Sequence, residues 1–241
     1  VGSVFDLSNA NVAKILGSKA ILVTRGGIGR PVDEIALNKA LFEKEGVEVV
    51  GAIVNKVLPE KYDLVREFAG RGLARIGVEL LGCIPDDPIL ASPTLGQICK
   101  TIKGTFLHGD DRSLQQVKNV VIGAMSTARV TNFFTPGTLI ISPGDREDIL
   151  LAALANCSPK NSSQQIAGLV LSGETLPDAS VLDRLKQSNL SVITSPLDSY
   201  TVTSKIHSMT VKTLPGDNEK IDKIQSLIES QFNITRLLEK I

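Results

Sequence analysis

The sequence predicts an α/β fold, built as two domains whose mostly parallel sheets are flanked by helices. Two observations carry this expectation. Short β-branched runs alternate with amphipathic segments along almost the whole chain, the pattern a parallel sheet requires because every crossover needs a helix. Helix-start signals also follow the runs at the right places, with proline or acids in the first turn, where fixed φ and the helix dipole favour them.

Residues 20–24 read as a buried strand. The helix over 31–45 follows, with Asp33 and Glu34 in its first turn. A strand over 49–54, a helix over 61–75, a strand over 79–84 and a short closing helix over 93–103 complete a first domain, 1–103. The stretch 104–116 then loses periodicity around His108-Gly109-Asp110-Asp111-Arg112, so a linker is expected there. A second domain, 117–241, begins after it. Its strands are expected at 119–124, 139–142, 167–171 and 191–194, and its helices at 126–134, 146–156, 178–188 and 199–206. Pro215-Gly216 punctuates the end, Asp217 is expected to cap a last helix, and Ile221, Ile224, Leu227, Ile228 and Phe232 give that helix an apolar stripe.

Composition removes several function classes. Lys plus Arg and Asp plus Glu both total 26, so the chain lacks the basic excess that nucleic acid or an anionic membrane surface demands. No apolar run approaches the roughly 20 residues of a spanning helix. The start has no basic flank leading into an apolar stretch, and Cys83, Cys99 and Cys157 are an odd, scattered set, so reduced thiols in a cytoplasm are expected. With His108 and His207 they offer no metal-ligand spacing, and no metal site is assigned. Trp is absent, which leaves little for stacking single-stranded nucleic acid.

Catalytic motifs are missing too. There is no Gly-Lys-Ser/Thr loop, no Gly-x-Ser-x-Gly, no His-Glu-x-x-His and no Cys-x-x-Cys, so no catalytic residue is assigned. What remains are strand ends. Gly26-Gly27-Ile28-Gly29-Arg30 joins a strand to a helix and reads either as a flexible turn or as a loop bringing backbone N–H groups to an anion. Asn55-Lys56 closes a strand at its carboxyl end, where open α/β sheets bind ligands, and the Asn amide carries the donor and acceptor to read an adenine edge. Asn is equally a turn residue.

Gly144-Asp145-Arg146-Glu147-Asp148 links a strand to a helix, with Asp145 expected as the cap. Arg146 is discordant, because a cation in a first turn costs roughly 0.3–1 kcal/mol. It is either functional or paired with a neighbouring acid such as Glu147 or Asp148. Ser172-Gly173-Glu174 and Ser195-Pro196-Leu197-Asp198 end the next two strands. In a parallel sheet these three loops share one edge and define a candidate crevice.

These landmarks are familiar together. Gly123-Ala124-Met125, Gly137-Thr138-Leu139-Ile140-Ile141 leading into 144–148, Gly168-Leu169-Val170-Leu171-Ser172-Gly173 and Asp217-Asn218-Glu219-Lys220-Ile221 resemble the DRTGG domain of long bacterial phosphotransacetylases. Asp145-Arg146 is present, but Glu174 stands where a second glycine would follow Ser172-Gly173. Residues 1–103 look like the second half of a dethiobiotin-synthetase-like P-loop ATPase. The matching segments are 1–10, Ile21-Leu22-Val23 with the 26–30 loop, Gly51-Ala52-Ile53-Val54-Asn55-Lys56-Val57 and Gly82-Cys83-Ile84-Pro85.

The resemblance implies that Asn55 contacts adenine and that Pro85 lies beside the base. ATP or another adenine nucleotide is then the expected cofactor, with magnesium only where the family's first half, holding the Walker lysine, is present. It implies a cytoplasmic, homo-oligomeric, regulatory region of a phosphotransacetylase-like protein that senses a nucleotide or metabolite without turnover of its own. Two alternatives stand beside it. One is a fragment of an ATP-dependent synthetase of the dethiobiotin or cobyrinic acid a,c-diamide type, and the other is an oligomerisation module without ligand.

Overall fold

The structure is a computed structural model that describes residues 2–157 and 166–240. It divides into two compact units, Val1–Asp87 with Ile221–Ile241, and Pro88–Lys220.

In the first unit α1 (Asn9–Leu16) starts where Ser8 Oγ accepts the Asn11 N–H and stops at the left-handed Gly17. Then β1 (Ala20–Arg25), α2 (Arg30–Lys44), β2 (Val49–Val57), α3 (Tyr62–Arg75) and β3 (Leu80–Pro85) follow as two crossovers. The strands pair in parallel in the order β1-β2-β3. Leu22, Ala52, Val54 and Cys83 pack against Ile35 and Phe42 of α2 and Val65 and Leu73 of α3. Each such Leu, Ile, Val or Phe contributes roughly 1.5–3 kcal/mol by burial.

The second unit opens with α4 (Pro88–Ala91) and α5 (Leu95–Thr101), the latter started by a reciprocal Thr94–Gln97 capping box. β4 (Thr105–His108), β5 (Asn119–Ile122), α6 (Thr127–Val130), β6 (Thr138–Pro143), α7 (Glu147–Asn156), β7 (Gly168–Ser172), α8 (Ala179–Lys186), β8 (Ser191–Ser195) and α9 (Ser199–Ser208) follow. Among the described residues the sheet runs β4-β8-β7-β6-β5, with β5 to β8 parallel and β4 antiparallel to β8. Both faces are covered. Leu139, Ile141, Val170 and Ile193 pack with α5 and α9, while Ile140, Leu169, Leu171 and Val192 pack with α7 and α8. Burial on both faces explains why these strands read as continuous apolar runs.

α10 (Asn218–Gln231) and α11 (Ile234–Leu238) end the described chain. From Ile221 onward they count with the first unit. Phe232 bridges to Gly82, and the Asn233 N–H donates to Leu81 O at 3.0 Å, which covers the outer edge of β3. Arg236 and Lys240 both reach Glu79, at 3.0 and 2.7 Å. β1, at the opposite edge, has no further strand beside it among the described residues, and Val23 there is 61% exposed.

Four expectations need correction. The division falls at Asp87/Pro88 rather than within 104–116, and the expected linker carries β4. Two of its polar residues reach the turn after α8: His108 Nε2 lies 2.8 Å from Ser188 O, and the Arg112 guanidinium bonds Asn189 O. The helix expected over 126–134 is one turn of α-helix followed by a 3-10 turn, Thr131–Phe133. Asp145 does not cap α7, because Arg146 occupies the capping position. Asp217 accepts the Leu214 N–H behind it rather than capping α10.

Candidate functional site

The carboxyl edge of the first sheet gathers the glycine loop and Asn55-Lys56. Arg25, the last residue of β1, pairs with Asn55. There β2 loses its regular pairing with β3 until Val57 meets Pro85, and the Asp86 N–H donates to Val57 O at 2.7 Å. The irregularity is local. Asn55 Oδ1 accepts the Lys56 N–H at 2.8 Å, and Lys56 takes a left-handed φ of 58°.

That turn brings Lys56 O against Gly26, where a Cβ would lie 2.7 Å from it and from Val57 Cα. Only glycine fits this close approach. Gly29 and Pro31 then open α2, whose 15 residues aim their amino end at the loop. The result is a cavity of about 550 Å³ lined by Arg25, Gly27, Ile28, Arg30, Glu34 and Lys56. Arg30 is committed: its Nε donates to Glu34 Oε1 at 2.8 Å, and that bond holds the Glu34 carboxyl below its ordinary pKa. Neither the Arg25 guanidinium nor the Lys56 ammonium has a hydrogen-bond or ion-pair partner among the described residues. Asn55 and Pro85 sit at the same sheet edge without lining the cavity. Arg25 was not singled out by sequence; its position as the last residue of a strand beside a glycine loop was the available signal.

At the second sheet the three strand-end loops do share one edge, and they bond to one another. The Gly173 N–H donates to Leu197 O at 2.9 Å and the Glu174 N–H to Ser195 O at 3.2 Å. Ser172 Oγ and Ser199 Oγ lie 2.8 Å apart. Thr175 Oγ1 donates to Ser172 O and accepts the Gly144 N–H, both at 2.9 Å. Gly144 is held so closely that a Cβ there would fall 2.1 Å from Thr175 O.

Arg146 stands one residue before α7, outside the helical turn. Its Nε and Nη2 reach the two carboxylate oxygens of Asp148 at 2.9 Å, Nη1 donates to Gly123 O and Nη2 to Met125 O, both at 3.1 Å. Thr127 Oγ1 donates to Asp148 Oδ2 as well, at 2.9 Å. The Arg146 bonds hold the Asp148 carboxyl far below its usual range. Of the two readings left open by the sequence, the pairing with a neighbouring acid is the one the geometry contains. Beneath this clasp Ser142 Oγ is buried without a hydrogen-bond partner, 3.3 Å from where a Gly123 Cβ would stand.

The rest of the titratable chemistry is sparse. Burial raises the thiol pKa of Cys83, Cys99 and Cys157. Among the described residues there is no group of three or more His, Cys, Asp or Glu placed to hold a metal, and no helix long and apolar enough to cross a membrane.

Two family matches meet this geometry. Residues 1–94 match the AAA domain and residues 97–209 the DRTGG domain. The first part of the chain is thus similar to one domain and the second part to the other, as the sequence landmarks implied. The chain is also similar to curated phosphate acetyltransferases. That of Pseudomonas putida is 27% identical over 96% of this chain and 34% of its own length. That of Synechocystis sp. is 29% identical over 97% of this chain and 34% of its own. The chain thus spans about a third of the length of the curated relatives it matches. Among solved structures it is similar, at 18% identity and a TM-score of 0.41, to the CBS and DRTGG domains of the regulatory region of Clostridium perfringens pyrophosphatase complexed with diadenosine tetraphosphate. That likeness covers 88% of this chain and 86% of that one.

Proposed function

We propose that this chain is the effector-sensing region of a phosphotransacetylase-like protein, and that its effector is an adenine nucleotide bound at the carboxyl edge of the first sheet. The observation that carries this is the pair of unspent cations, Arg25 and Lys56, around a glycine-lined cavity at the amino end of α2. Phosphate oxygens suit such a place, since backbone N–H groups and fixed positive charge act together. Asn55 keeps its Nδ2 for an adenine edge while its Oδ1 shapes the turn, and Pro85 flanks the base. At the DRTGG domain, Gly144, Asp145, Arg146, Ser172 and Gly173 form the edge that answers the effector, through hydrogen bonds a ligand exchanges for its own.

Regulation rather than turnover fits a chain with no Gly-Lys-Ser/Thr loop and no general acid–base pair at this cavity. A second reading, association between copies, draws on the open edge of β1 and its exposed Val23. A thermal-shift titration separates them. ATP raising the melting temperature in a saturable way, where inorganic phosphate at equal concentration does not, supports the nucleotide reading. Equal curves for both anions remove it.

A further inference from the structure

On the α5 face of the second sheet, the segment 209–214 runs as an irregular strap after α9. Hydrogen bonds secure it at its middle and its end: Gln97 Nε2 donates to Lys212 O at 2.5 Å, the Leu214 N–H donates to Asp217 Oδ2 at 3.0 Å, and the Asp217 N–H donates to Leu214 O at 3.1 Å. Beneath lies a cavity of about 680 Å³ whose apolar wall is Phe106, Leu114, Met209 and Leu214. That volume lies in the range of small-molecule sites.

Three of the polar side chains of this cavity are spent. Gln97 and Thr94 satisfy each other in the capping box, and Thr101 Oγ1 donates to Gln97 O at 2.8 Å. Two cations are not spent. Lys100 and Lys212 line the cavity, and neither ammonium has a hydrogen-bond or ion-pair partner among the described residues, whereas Asp110 is the one acid there. An occupant that fits brings an apolar body for the wall of Phe106, Leu114, Met209 and Leu214, beside which Ser113, Thr210 and Asp110 make up the smaller polar part of the lining. It must also bring an anionic head for the lysines.

We infer that the cavity under the 209–214 strap is a binding site for a small amphipathic carboxylate, its apolar chain against Phe106 and Leu214 and its head between Lys100 and Lys212. This site is separate from the nucleotide cavity and stands or falls independently of it. The strap gives it an entrance: breaking the single Gln97–Lys212 bond frees its middle.

The chain has no Trp, so Phe106→Trp supplies a unique fluorophore in the wall. Decanoate, titrated below its micelle concentration, is expected to shift that emission saturably and to raise the melting temperature of the unsubstituted chain. Lys100→Glu with Lys212→Glu is expected to weaken decanoate about tenfold and to leave decanol unaffected. Decanol binding as tightly as decanoate, or decanoate binding equally with and without the lysines, overturns the proposal. So does a sedimentation result in which the groove is already filled by a second copy that decanoate displaces.

Discussion

Arg146 grips Asp148 with two of its nitrogens, Nε and Nη2, each 2.9 Å from a different carboxylate oxygen. The same guanidinium ties down Gly123 O and Met125 O, so one side chain fixes the loop after β5 against the start of α7. A forked pair with extra backbone acceptors is stronger than a lone surface ion pair, though its partial exposure screens it.

Arg146→Ala is accordingly expected to cost about 1–2 kcal/mol of stability, after discounting for solvent screening. Arg146→Lys recovers little of that, since an ammonium cannot span both oxygens and the two carbonyls. In a double-mutant cycle by urea unfolding, Asp148→Asn should be nearly silent once Arg146 is gone. Additive losses would dissolve the coupling.

The acid limb of stability follows from the same pair. The folded Asp148 carboxyl titrates below its unfolded value, so its contribution is complete above about pH 4 and is lost as pH falls through the folded value. Asp148→Asn should flatten that part of the stability–pH curve, measured by urea midpoints from neutral pH downward. An unchanged slope assigns the acid sensitivity elsewhere.

Lys220 gives a slope of the same sign on the alkaline side, but from an unfavourable burial of charge rather than a favourable pairing. It is fully buried and donates to Ser92 O at 2.5 Å, and burial, only partly offset by Asp217, lowers its pKa. Between the folded and unfolded values the unfolded chain holds more protons, so stability rises with pH up to the ordinary lysine range. Lys220→Met should abolish that rise and equal or exceed the wild type near neutrality, because an apolar replacement removes an ion with a single acceptor. A variant that is less stable at every pH refutes this.

Two glycines test packing against backbone conformation. Gly144→Ala drives a Cβ onto Thr175 O and should cost about 1–3 kcal/mol or more by overpacking. Gly173→Ala meets no atom within 4 Å but must hold a φ of 75°, which costs roughly 1–2 kcal/mol. Thermal melts of both variants check the order, and a silent Gly144→Ala would mean the Thr175 loop moves freely.

Much of this was legible in the sequence because burial wrote it there. Leu139-Ile140-Ile141 reads as a strand since both its faces are covered, and Pro31 marks the start of α2 by its fixed φ. β4 was not legible: Thr105 to His108 is a short edge strand with no fully buried residue, so it carries no apolar run. α1 was missed although Ser8 and Gly17 sign both its ends, because exposed Ile15 and Leu16 blur its stripe. The Arg146–Asp148 grip was half legible. Two residues apart on a helix do not face each other, and the pair forms only because Arg146 lies at the capping position outside the first turn. At the first sheet edge, the sequence named Lys56 and the glycine loop separately. The left-handed turn that joins them around one cavity depends on Asn55 Oδ1, a bond that spacing does not reveal.

The central claim is that Lys56 and Arg25 hold nucleotide phosphates at that cavity, and isothermal titration with ATP tests it most directly. The wild-type chain is predicted to bind ATP at one site, and Lys56→Gln and Arg25→Gln each to weaken it about tenfold, near 1.4 kcal/mol, with melting temperatures unchanged. ATP heats indistinguishable from buffer, or equal affinity in all three proteins, would contradict it.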